Sequence, residues 1–203
     1  MTIGLLILRV IVGALFVGHG AQKLFGWFGG HGIDGTAGFM ESLRYRNGRI
    51  AAIVAGLTEA VSGLLLMFGL LVPLAVAGII AVMLNAAVAF HLRNGLWNSN
   101  GGYELPLVYA VIAAALGFTG PGSFSLDRLF GFDLAGTTYG IGAIVLGLVA
   151  GLIALALRRR PETVSRPQTV SPSRSASRER PESQHQPQPV AATSVMEVVV
   201  IAG

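Results

Sequence analysis

The chain has 203 residues, 53% of them hydrophobic and only 12% charged, against roughly 25% charged in a soluble domain. So little charge cannot cover a water-soluble surface, and an ordinary soluble enzyme is excluded. The absence of cysteine excludes a disulfide scaffold, a thiolate zinc site, a cysteine-ligated iron–sulfur cluster and a cysteine nucleophile.

A bilayer core takes about 20 mostly apolar residues to cross. The first such run is residues 3–25. Arg9 lies inside it and no basic segment precedes it, so a membrane helix is expected there rather than a cleaved signal peptide. Arg9, Phe16 and Lys23 are spaced by seven along one stripe, with Gly13 and Gly20 beside it. His19 and Lys23 share a face at i, i+4, and Gln22 lies between them in sequence.

The loop at 26–49 is long. Trp27 and Phe28 suit headgroup depth. Residues 30–35 spell G-x-G-x-x-G, but a spanning helix precedes them instead of a strand, so a dinucleotide site is not expected. Residues 36–44 predict a short helix capped by Thr36, with Phe39, Met40 and Leu43 on its apolar side. It would lie in the interface or fold over a polar cavity as a lid.

The second span is residues 50–71, with Glu59 near its middle and Gly56 and Gly63 on the same face. A short link to Pro73 opens the third span, residues 73–92, so the two should be antiparallel neighbours. Gly78, Ala81, Asn85 and Ala89 form a small-residue stripe on it, and His91 closes it. The fourth run, residues 105–120, is short and opens at Glu104; the fifth is residues 139–157.

From Arg158 the character changes. Seven of the fourteen basic residues and six of the nine prolines lie there. Such a stretch buries too little apolar surface to offset its ordering entropy, which predicts disorder. The overall basic balance therefore points to lipid headgroups or a solvated tail, with no nucleic acid among the partners. The expected fold class is an all-α membrane protein: a four-helix bundle over residues 1–130, a fifth transmembrane helix over 131–157 and a disordered basic tail over 158–203.

Basic residues also set orientation. With five spans and the N-terminus outside, Lys23, Arg44, Arg46, Arg49, Arg93 and the tail face the cytoplasm, and only Arg9 and Arg128 fall toward the outside. The expectation is N-terminus out and C-terminal tail in.

Ionisable groups within spans are expensive and mark candidate function. Topology brings His19, Gln22, Lys23, His91 and Glu104 to one end of the bundle. Glu59 lies about nine residues in from that end, or ~14 Å at 1.5 Å per residue. A polar cavity with Glu59 at its floor is the simplest arrangement, with Arg9 approaching Glu59 from the other side. Structural readings stand beside this. A buried Glu–Arg or Glu–Lys pair fixes helix register, Lys23 snorkels, the histidines pack, and Asn85 bonds helix to helix. No metal site is expected, because the histidines lack ligand spacing.

Taken together, Arg9 with Gly13, HisGly and GlnLysLeu at 19–24, GlyThrAlaGlyPhe at 35–39, Glu59 with GlyLeuLeuLeu at 63–66, His91 with the GlyLeuTrp after it, TyrGlu at 103–104 and GlyProGlySerPheSerLeuAsp at 120–127 resemble the DoxX family of prokaryotic membrane proteins. The resemblance covers about residues 3–128. It implies a four-helix bundle in an inner membrane and a link to thiosulfate:quinone oxidoreductase subunits or other membrane redox assemblies. The fifth span and the tail depart from that pattern.

Three roles fit, and the sequence does not decide whether the protein is an enzyme. One is a redox-linked subunit acting on quinone or a small sulfur anion such as thiosulfate. In it Glu59, His19 and His91 would supply protons, and Arg9, Lys23, Gln22, Asn85 and Glu104 would bind substrate. TyrGlu at 103–104 and Asp127 are secondary candidates. Quinone is the cofactor considered, and electrons would come from a soluble or membrane oxidoreductase partner. The second role is a non-enzymatic membrane adaptor for such enzymes, and the third a small proton-coupled carrier. The bilayer is a partner in all three, and all admit a homo-oligomer.

Overall fold

The computed structural model describes residues 2–158; the segment expected to be a disordered tail lies, beyond Arg158, outside the described residues. These residues form helices α1 (Thr2–Phe25), α2 (Gly32–Ser42), α3 (Gly48–Phe68), α4 (Val72–Ala89), α5 (Glu104–Thr119), α6 (Leu126–Leu129) and α7 (Thr137–Ala156), with short 3-10 turns at Trp27–Gly29, His91–Asn94 and Asn98–Asn100. Among the described residues there is no strand, only one isolated bridge between Tyr45 and Arg158. α1, α3, α4 and α7 are long and apolar enough to cross a membrane. α5 has 16 residues and reaches only ~24 Å at 1.5 Å per residue, as its short apolar run predicts.

α4 is the central helix. Its Val72, Ala75, Val76, Ile79, Ile80 and Met83 form the core with Val12 and Phe16 of α1, Leu66 of α3, Ala113 and Leu116 of α5 and Ala143 of α7. Outward faces carry large apolar side chains, among them Ile11, Val54, Val61, Val111 and Leu152, each at least half exposed. Such a surface is costly in water and correct in hydrocarbon.

Small residues set the helix contacts. A Cβ on Gly63 would lie 2.6 Å from the Gly13 carbonyl, and one on Gly20 would lie 2.7 Å from the backbone of Gly56 and Ala60. α1 and α3 therefore touch backbone to backbone along their length. α7 meets α4 in the same way, through Gly147 against Ala77 and Gly151 against Ala81 and Leu84.

The α3–α4 link is tight, as expected, and is built on two left-handed residues: Gly69 (φ 65°) and Leu71 (φ 48°). Leu71 is not glycine, so its conformation needs support. Asp127 supplies it, accepting hydrogen bonds from the Leu71 N–H at 2.8 Å and the Val72 N–H at 3.2 Å, while the Asp127 N–H donates to the Gly69 carbonyl at 2.9 Å. Pro73 lies in the first turn of α4, where its missing N–H costs nothing.

Candidate functional site

A cavity of about 830 Å³ lies between α3 and α7, with α4 as its floor. Its wall is mostly aliphatic. Val54, Leu57 and Val61 of α3 and Leu146 of α7 line it and are about half exposed, so it opens sideways onto the apolar face. α2 covers one end through Phe39 and Met40, and Leu43, Tyr45, Arg46 and Asn47 continue that cover. The helix expected at 36–44 thus forms and covers the cavity, but it starts at Gly32 with His31 at the capping position. Thr36 does not cap it. Thr36 is buried inside the helix, its hydroxyl 3.5 Å from the Lys23 carbonyl.

The polar groups on the cavity wall include Lys23, Glu59, Ser62, Asn85 and Tyr45. Lys23 Nζ meets Glu59 Oε2 at 2.9 Å, with 5% and 2% of the two side chains exposed. The glycine contacts explain how the pair arises: Gly56 and Gly63 bracket Glu59 on α3 and let α1 approach within reach of its carboxylate. Ser62 follows one turn later on the same face, with its hydroxyl against Gly78 of α4.

Asn85 is an interhelical bond. Its Nδ2 donates to the Ala81 carbonyl at 2.9 Å and to the Gly151 carbonyl of α7 at 3.0 Å, and its Oδ1 accepts from the Tyr45 hydroxyl at 2.8 Å. Its hydrogen-bonding capacity is thus largely taken up within the protein. Burial pushes the Tyr45 phenol above its ordinary pKa, and the Arg158 cation nearby opposes that rise.

Arg9 does not approach Glu59. It turns toward the other end of the bundle, where its Nη2 donates to the Phe124 carbonyl and the Asp127 carboxylate supplies its electrostatic attraction. The physical reason is proximity in depth: Arg9 lies seven residues from the start of α1, at the level of the 120–127 turn. Arg9 and Asp127 are both buried, and a Cβ on Gly69 would strike the guanidinium. The turn, the cap of α4 and Arg9 therefore form one structural unit remote from the cavity.

The remaining candidates lie at the same end as Lys23 but do not line the cavity. His19 Nδ1 and Gln22 Oε1 are 3.1 Å apart, and Gln22 Nε2 donates to the Phe28 carbonyl at 3.2 Å, tying down the turn after α1. His91 Nδ1 donates to the Gly101 carbonyl at 2.7 Å, which fixes its tautomer. Its Nε2 is buried without a hydrogen-bond partner among the described residues. Glu104 accepts from the Asn98 N–H at 2.8 Å. These last two residues shape the 90–104 connection. Among the described residues no three His, Asp or Glu side chains are grouped to hold a metal ion.

Sequence reasoning did not single out Tyr45, Ser62 or Arg158. Ser62 was within reach, since it lies at i+3 from Glu59 on the glycine face. Tyr45 lies in an aperiodic segment, and Arg158 reads as the first residue of a basic run.

Comparison with known proteins adds to this geometry. The sequence model of the DoxX family matches residues 4–92, from α1 through α4. The inner membrane protein YphA of Escherichia coli (strain K12) is 33% identical over 133 residues, covering 61% of this chain and 88% of that protein. No solved structure matches the chain.

Proposed function

The chain belongs to the DoxX family, and from that premise we propose that it is a redox-linked inner-membrane subunit whose lateral groove takes the ring of a membrane quinone. The observation that carries this reading is the groove itself: a mostly aliphatic slot of about 830 Å³, open toward lipid, with one buried charged pair in its wall. Its volume falls in the range of small-molecule sites, which are mostly apolar with a few placed polar groups.

A bound quinone supplies two-electron, two-proton acceptor chemistry, with the electrons delivered by a partner oxidoreductase. The residues here would handle protons and orientation. Glu59 holds or releases a proton at its carboxylate. Lys23 balances the charge of Glu59 and would offer an N–H to a bound ring. Ser62 offers a hydroxyl on the same wall. A free sulfur oxyanion is less well served, because Lys23 is already paired with a carboxylate, most of the wall is aliphatic, and the other cation on it, Arg46, is exposed.

YphA is an inner membrane protein, and we place this chain in the same membrane. We place the end bearing Lys23, Arg44, Arg46, Arg49, Arg93 and Arg158 in the cytoplasm, since among the described residues the basic side chains of the opposite end are only Arg128 and the buried Arg9.

The reading is tested by purifying the protein with its native lipids and measuring extracted quinone per chain. About one quinone per chain is expected, falling several-fold when Ala55→Trp fills the groove. A quinone content equal to that of bulk lipid, unchanged by the filling, overturns it.

A further inference from the structure

We propose that α7 completes the groove and that Arg158 is the positioning residue that shuts its polar end against water, so that the groove admits ligand from the bilayer alone. α7 forms one wall through Leu146, Ala150 and Ala154, and it lies beyond residues 4–92, which the family's sequence model matches. At its end the chain turns back onto the groove cover. Arg158 Nε donates to the Leu43 carbonyl at 2.8 Å, and its guanidinium lies 5.6 Å from the centre of the Tyr45 ring. The two residues also form a backbone bridge.

Leu43 and Tyr45 are the cover residues at that end, and both line the groove, as does Leu157 next to Arg158. The connection they occupy is short and strained, with Arg44 at φ 70°. A charge-assisted hydrogen bond and a cation–π contact from one half-buried arginine hold it down. Tyr45 carries the restraint inward to Asn85, and Asn85 returns it to α7 at Gly151. The tie thus runs from α7 across the mouth and back to α7. Without Arg158 the cover keeps the Tyr45–Asn85 bond and the edge contact of Phe39 with Phe90, neither of which reaches it from α7 directly.

This inference concerns access and stands whatever the groove holds. The chain has no cysteine, so Ala55→Cys, on the groove wall one turn before Glu59, gives a single reporter thiol. The full chain in lipid nanodiscs is treated with a charged, membrane-impermeant methanethiosulfonate and, separately, with a lipophilic maleimide. Adding Arg158→Ala should raise the charged-reagent rate at least ten-fold and leave the lipophilic rate within two-fold. Arg158→Lys should restore much of the protection, because it keeps the charge over the Tyr45 ring. Tyr45→Ala, which breaks the tie from its other side, should repeat the effect. Unchanged charged-reagent rates in both Arg158→Ala and Tyr45→Ala, or equal rises for both reagents, overturn the proposal.

Discussion

Lys23 and Glu59 meet at 2.9 Å across the α1–α3 contact, almost fully shielded from solvent, and their pairing depends on glycines that carry no side chain of their own. Removing one partner leaves the other as a buried, uncompensated charge. Glu59→Gln and Lys23→Met should each cost about 3–5 kcal/mol. The double variant should cost clearly less than the sum. Denaturant titration of the four proteins in detergent, analysed as a double-mutant cycle, checks this; additive losses contradict it.

The α1–α3 contact predicts a sharp contrast among glycines. Gly20→Ala and Gly63→Ala place a methyl 2.6–2.7 Å from backbone atoms of the facing helix, and overpacking of that kind costs about 1–3 kcal/mol. Gly4→Ala and Gly18→Ala meet nothing within 4 Å and should leave stability unchanged or slightly raised. Melting temperatures in detergent separate the two groups.

Asp127 serves the fold in two ways, as the cap of α4 and as the countercharge of Arg9. Asp127→Ala should therefore lose more than the 0.5–2 kcal/mol of a simple cap. Asp127→Asn, which keeps one acceptor but no charge, should fall between it and the wild type. Equal stability of all three proteins would show that neither interaction matters.

Orientation is testable with two single-cysteine variants in the cysteine-free chain. Ser42 and Ser123 are exposed at opposite ends of the bundle. In intact cells with a permeable outer layer, an impermeant maleimide should label Ser123→Cys and spare Ser42→Cys. Reversed labelling would place the basic end outside.

The long helices were legible in the sequence because apolar runs of membrane length have few alternatives. The glycine face around Glu59 was legible for a similar reason: Gly56, Glu59 and Gly63 fall together at helical spacing. The partner of Glu59 was not. Arg9 and Lys23 lie on one stripe of α1, and spacing alone does not say how deep the turn at 120–127 sits. That turn takes Arg9 and leaves Lys23 to Glu59. Nor does periodicity reach the cover of the groove. Tyr45 and Arg158 are 113 residues apart and meet only because the fifth span returns the chain to the same end. His19, Gln22, His91 and Glu104 do lie at that end, yet they bond to neighbouring loops instead of lining the groove.

The central claim is that the groove selects a quinone ring at the Lys23–Glu59 wall, and photolabelling with an azidoquinone tests it most directly. Purified protein in nanodiscs is labelled with and without competitor, and the modified peptides are mapped. The account predicts labels on the groove faces of α3 and α4, removed by excess quinone but not by an isoprenoid alcohol of the same chain length, and weakened about ten-fold in Glu59→Gln, corresponding to ~1.4 kcal/mol of binding. Labels scattered over the outer helix faces, or removed equally by the ringless alcohol, would contradict it and leave the groove as a seat for lipid chains.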